Sequence, residues 1–118
     1  MVYEAGESMR FNQLAISEGM NGCLRLMKNL GMLDVEVPPC ETKILNDTTW
    51  VRADMSGLFR TLKKYGSFIK KNEVIGTISD PYGEMEEELK APETGYIIGI
   101  NNHPVINEGD ALIHIGVE

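Results

Sequence analysis

The 118-residue sequence predicts an α+β fold that is mainly β, a duplicated small β barrel or sandwich preceded by a short strand and one helix. Three observations carry this expectation. Ala53-Asp54-Met55-Ser56-Gly57 is answered at matching spacing by Ala91-Pro92-Glu93-Thr94-Gly95, and Phe68-Ile69-Lys70-Lys71-Asn72-Glu73-Val74-Ile75 by Val105-Ile106-Asn107-Glu108-Gly109-Asp110-Ala111-Leu112, with a one-residue length difference between the copies. Each copy closes on an alternating run, Gly76-Thr77-Ile78 in one and Ile113-His114-Ile115 in the other. The stretch ahead of both has helical periodicity instead. A repeat this short cannot bury its apolar face alone, so two copies must close on each other into one core. Chance similarity between glycine-turn β segments is the competing reading; duplication is preferred because turn, strand and loop chemistry match together.

In chain order, Met1-Val2-Tyr3 reads as a short strand that ends in Glu4-Ala5-Gly6-Glu7-Ser8. Phe11, Leu14, Ala15, Cys23, Leu26, Met27 and Leu30 fall mostly three or four apart and argue a helix, with Asn12 placed to cap its start and Gly31 its end. Gly19 and Gly22 interrupt it. Each costs about 1 kcal/mol against alanine in an exposed helix interior. Two readings stay open there: one helix approached closely on its glycine face, or two shorter pieces. Around Pro38-Pro39 the periodicity is lost and a linker follows. Short strands are expected at 48–52, 58–62, 74–79, 86–90, 96–100 and 111–117, separated by Gly, Pro and Asn.

Composition narrows the function classes. With 11 basic against 18 acidic residues and a net charge of −7, and no basic run longer than Lys63-Lys64 or Lys70-Lys71, neither nucleic acid nor an anionic membrane is an expected partner. No apolar run reaches the ~18 residues of a membrane span and no signal sequence opens the chain, so a cytoplasmic protein is expected. Cys23 and Cys40 stand alone, which favours reduced thiols.

No Gly-rich phosphate loop, serine elbow or Cys/His nucleophile signature is present. His114 alternates with Ile113 and Ile115 and should face away from them, and His103 precedes Pro104 in a turn. Neither has metal-ligand spacing around it, so no metal site is expected. The acidic run Glu84-Met85-Glu86-Glu87-Glu88 is tempting as a cation site, but consecutive acids on a strand point to opposite faces. A solvated hairpin edge that resists pairing is the better account.

The pattern Gly66-Ser67-Phe68-Ile69-Lys70-Lys71-Asn72-Glu73-Val74-Ile75-Gly76, followed by Lys90-Ala91-Pro92 and Gly95, resembles the biotinyl/lipoyl-type barrel. More specifically, Ser56-Gly57-Leu58-Phe59, Ile78-Ser79-Asp80-Pro81-Tyr82-Gly83-Glu84 and the run from Asn102-His103-Pro104 to Ile113-His114-Ile115 resemble the C-terminal domain of the succinylglutamate desuccinylase/aspartoacylase family. These are zinc-dependent amide hydrolases in which a carboxypeptidase-like catalytic domain precedes such a β module. The resemblance runs from Met1 over nearly the whole chain. It implies that 1–34 are the C-terminal strand and helix of a truncated catalytic domain, 35–47 a linker and 48–118 the biotinyl/lipoyl-like module.

By the same resemblance, Glu4 in Val2-Tyr3-Glu4-Ala5-Gly6 is the general base and acid of the parent enzyme, and Tyr82 and Glu84 are substrate-channel candidates. The function implied is the C-terminal portion of a zinc-dependent N-acyl amino acid deacylase. Zinc belongs to the parent enzyme and none is expected on this chain, because the family's His-x-x-Glu pair and distant His are not in it; no independent catalysis is expected. A carrier would present a lysine at the tip of the hairpin between the repeats. Counting back from Ala91-Pro92, that position is Glu84, so no covalent biotin or lipoate is expected. The alternative is a noncatalytic protein-binding or assembly module. A strand edge at Val2-Tyr3 and an uncovered helix face also predict self-association through 1–33.

Overall fold

A computed structural model describes residues 2–118; Met1, part of the predicted first strand and of the predicted self-association segment, lies outside the described residues. The chain divides into two compact units, one ending at Thr42 and the other comprising Lys43–Glu118.

In the first unit a single helix, α1 (Gln13–Asn29), runs unbroken through Gly19 and Gly22. Asn12 caps it, its side chain accepting the Ala15 N–H at 3.0 Å. At the other end Gly31 adopts φ 69°. Its N–H donates to the Lys28 carbonyl at 2.9 Å and the Met32 N–H to Met27 at 2.9 Å, the paired bonds of a Schellman stop. The glycine face is closely approached, as one of the two readings expects, but at Gly19 only: a Cβ there would lie 2.9 Å from the Tyr3 ring, while nothing comes within 4 Å of one at Gly22.

The predicted strand at the N-terminus does not form; residues 2–5 carry no regular structure. A strand needs a neighbour to take its backbone hydrogen bonds, and the eight strands of the described residues lie beyond Thr42. Tyr3 is instead anchored by its hydroxyl, which donates to the Ala15 carbonyl at 2.8 Å.

The second unit contains β1 (Asp47–Arg52), β2 (Gly57–Thr61), β3 (Phe68–Ile69), β4 (Val74–Ser79), β5 (Glu86–Lys90), β6 (Gly95–Ile100), β7 (Val105–Ile106) and β8 (Ala111–Val117). One sheet has the order β1-β8-β6-β3 and the other β5-β4-β2-β7. Replacing each strand by its equivalent in the other copy turns one order into the other. The copies are therefore interleaved rather than stacked, and every sheet contains strands from both. β3 and β7 are the two strands that alternation could not reveal, since two residues show no period.

Local bonds repeat with the topology. Ala53 donates its N–H to Asp110 at 2.9 Å and Ala91 to Glu73 at 2.9 Å, while Gly109 donates to Ala53 and Asn72 to Ala91, each at 2.8 Å. The Ser56 hydroxyl accepts from Glu108 N–H at 3.0 Å and the Thr94 hydroxyl from Lys71 N–H at 3.0 Å. Each copy thus caps a turn of the other. Asn72 and Gly109 occupy the same left-handed position, at φ 66° and 87°. Gly57 and Gly95 are likewise matched: a Cβ would run into the carbonyl oxygen of Ser79 at the first and of Gly116 at the second.

The core lies between the sheets and consists largely of equivalent pairs: Val51 with Leu89, Ala53 with Ala91, Ile69 with Ile106, Ile75 with Leu112, Ile78 with Ile115. One pair departs from equal size. Phe59 takes the place that Ile97 has in the other copy, and its ring occupies space beside Gly76, whose own equivalent is Ile113. A large side chain on one strand is offset by an absent one on the next, which keeps the core filled.

Candidate functional site

The candidates fall in both units. Glu4 is exposed, in the irregular segment between the anchored Tyr3 and Gly6. Nearby, Tyr3, Ala5, Gly6, Arg10, Phe11 and Ile16 help to line an open recess of about 160 Å³ of which Glu4 is not a wall. Arg10 and Glu7 approach to 3.7 Å there, on the surface.

Tyr82 and Glu84 sit at the tip of the hairpin that joins β4 to β5. Its organiser is Asp80, whose carboxylate accepts the Met85 N–H at 2.9 Å and the Tyr82 N–H at 3.4 Å. Asp80 also donates its N–H to the Met85 carbonyl at 3.1 Å, and Gly83 turns the chain at φ 72°. Hydrogen bonding from Met85 above all, then from the other tip amides, holds the Asp80 carboxyl below its usual value. Tyr82 is left 87% exposed. The sequence signal for this device was Asp-Pro-x-Gly, a turn motif whose aspartate accepts from the amides that follow it. Glu84 is the position reached by counting back from Ala91-Pro92.

β5 is an edge strand, and Glu86, Glu87 and Glu88 are all exposed on it while Leu89 is buried. Glu87 stands opposite Ile78 in the register and so puts a carboxylate on the core-facing side of the edge. That position opposes addition of a further strand, as read from the acidic run.

The histidines are placed as their neighbours imply. Ile113 and Ile115 are fully buried, and His114 between them faces outward, its ring stacked on Trp50 at 4.2 Å and 7°. Gly99 completes the row, because a Cβ there would lie 2.9 Å from that of His114. This aromatic row was not legible in the sequence; it depends on the register that sets β1, β8 and β6 side by side. His103 lies in a turn, where its N–H donates to Asn101 Oδ1 at 2.9 Å. Among the described residues, no three His, Cys, Asp or Glu side chains are grouped so as to hold a metal ion. Among the described residues, too, no helix is long and apolar enough to cross a membrane.

No family model and no curated protein matches the sequence. Solved structures do. The ectoine utilization protein EutE (DoeB) from Ruegeria pomeroyi superposes with a TM-score of 0.78 at 21% identity, over 92% of this chain and 36% of that one. The fold is the same. A succinylglutamate desuccinylase from Silicibacter sp. gives a TM-score of 0.74 at 20% identity, over 92% of this chain and 34% of that one. A multi-domain long-chain acyl-CoA carboxylase matches more narrowly, with a TM-score of 0.54 at 17% identity over 69% of this chain and 8% of that one. The chain thus spans about a third of the length of the first two of these structures. The expected likeness to the succinylglutamate desuccinylase/aspartoacylase fold, with a duplicated module, is met at the level of architecture.

Proposed function

We propose that this chain is the C-terminal portion of an N-acyl amino acid deacylase of the succinylglutamate desuccinylase/aspartoacylase type, supplying a β module and one catalytic carboxylate, Glu4, to an amide hydrolase. The observation that carries the reading is the coverage: the superposition takes in 92% of the chain, so it includes most of the first unit as well as the module. A shared barrel alone would match the second unit only. The acyl-CoA carboxylase, whose match covers 69% of this chain, is nearer to that case.

Zinc is the metal that the resemblance attaches to such enzymes, and the residues here do not fit it. His114 is stacked on Trp50, and the described residues offer no group of three His, Cys, Asp or Glu side chains. No metal-dependent step is assigned to this chain. What Glu4 offers is an exposed carboxylate able to accept a proton from water and return it to a departing amine once a partner surface is brought to it.

The test is to express the tagged chain in its own host, purify what co-elutes, and assay hydrolysis of N-succinylglutamate and N-acetylaspartate. Expected are activity in the assembly, none in the isolated chain, and a loss of about 10²-fold or more for Glu4→Gln with the assembly intact. Full activity with Glu4→Gln would remove that residue's role. An assembly without amide hydrolase activity would leave the second reading, a noncatalytic assembly module, which the exposed aromatic row at Trp50 favours.

A further inference from the structure

We infer that residues 43–46 form a releasable strap that fastens the start of β1 to the end of β8, so that the joint between the two units ends at Thr42 while the strap is closed and lengthens when it opens. The topology says why a fastening is needed there. β4 and β5 are joined by the hairpin at 80–84, but their equivalents in the other copy, β8 and β1, are the last and first strands of the module and no turn connects them. In the hairpin the Asp80 carbonyl accepts the Gly83 N–H at 3.2 Å. Val117 is the equivalent of Asp80, and its carbonyl accepts the Asn46 N–H at 2.8 Å. A closing bond is thus kept where the covalent turn is missing.

Side chains hold the strap to the outer face of its sheet. Ile44 is 77% exposed, whereas Leu45 turns inward and lies over Gly116. A Cβ at Gly116 would run into the Leu45 methyl group, so the strand leaves a side chain out and the strap fills the space. Ile98 borders the same gap, its Cδ1 3.4 Å from that Cβ position. Ahead of Leu45, the Lys43 ammonium donates to Glu118 Oε1 at 3.0 Å and lies 4.8 Å from the centre of the Tyr96 ring. An exposed ion pair contributes little by itself, so Leu45 in its glycine gap is the main fastening.

Such a strap can open without the module. It lies on the surface and only part of one side chain is covered, which puts its opening at the low end of local stability. Opening would add four residues to the joint and extend its reach by at most about 14 Å. The strap therefore controls the length of the tether on which the first unit is carried. The inference goes beyond the hydrolase reading and does not depend on Glu4.

Amide hydrogen exchange of the whole chain tests it residue by residue. In the unmodified protein the Asn46 amide should be protected at least about tenfold over the amides of 36–42. Leu45→Ala and Gly116→Ala should each raise exchange at Asn46 at least about tenfold, the first by emptying the gap and the second by occupying it. Ile113 and Ile115 should keep their protection in both, which shows that the variants fold. Together the two substitutions should raise exchange by less than the product of the singles, because the new methyl at 116 takes space that Leu45 has left. Asn46 exchanging as fast as 36–42 in the unmodified protein, or protection there indifferent to either substitution, would overturn the proposal. So would loss of protection at Ile113 and Ile115 together with Asn46, since the strap would then not open independently. These readouts involve no hydrolysis, so failure here and failure of the deacylase reading remain distinct.

Discussion

Phe59 and Gly76 show how the two copies differ while filling one core. A Cβ at Gly76 would lie 3.0 Å from the Phe59 ring and 3.0 Å from the Arg60 carbonyl oxygen. Gly76→Ala should therefore destabilise the module by about 1–3 kcal/mol, the usual cost of overpacking. Phe59→Ile alone leaves a cavity, but it also vacates the space the new methyl needs. Combined, the two substitutions should cost at least about 0.5 kcal/mol less than the sum of the singles, measured as a double-mutant cycle in urea denaturation. Strict additivity would mean that ring and glycine do not share the space. At the repeated left-handed turn, Gly109→Ala should cost roughly 1–2 kcal/mol, whereas Asn72→Gly should cost little or nothing, because it restores the residue that the other copy uses. Both sites were visible in the sequence as an aligned Asn and Gly. The dependence of Gly76 on Phe59 was not, because it arises between neighbouring strands.

The β4–β5 hairpin is a local element held by one carboxylate. Asp80 accepts from Met85 and Tyr82, and those bonds lower its pKa from 3.8. A depressed carboxyl contributes stability that is fully present above the unfolded value and is lost as pH falls through the folded one. Protection of the Met85 amide, its exchange measured relative to an unstructured amide at the same pH, should thus be high at neutral pH and fall at pH values below 3.8, with Asp80→Ala showing low protection at every pH. Protection unaffected by Asp80→Ala would show that the turn is fixed by Pro81 and Gly83 instead. A second carboxylate does similar work elsewhere in the module. Glu73, bound first by Lys63 and then by the Lys70 N–H, is also held below its usual value. Its equivalent, Asp110, accepts the Asn107 N–H at 2.8 Å, the same bond in the other copy.

On the scale of the whole molecule, the two units differ in what holds them. The module buries thirteen apolar side chains in one cluster, while α1 buries none. An unsupported helix of 17 residues is marginal in water. Hydrogen–deuterium exchange at low micromolar concentration should therefore show strong protection in β4 and β8 and weak protection along α1. Uniformly strong protection of α1 in dilute solution would mean that its apolar face is already covered. Within the module, Ile75→Ala and Leu112→Ala should each cost about 2–5 kcal/mol and should match within error, because the two side chains are equivalent and fully buried.

The sequence by itself determined the repeat, the helix with both of its caps, the six longer strands and the outward turn of His114. All of these rest on short-range chemistry: the period of two along a strand, the Asn12 and Gly31 end signals, the glycines at turns. It also speaks against the carrier reading, because Glu84 stands where a lysine would be needed. Only the tertiary structure decided the rest. The interleaving of the copies, the two-residue strands β3 and β7, and the Trp50–His114–Gly99 row are products of register between segments far apart in the chain. The predicted N-terminal strand failed for the same reason in reverse, since Val2 and Tyr3 have strand-like side chains but no neighbouring strand to receive their backbone hydrogen bonds.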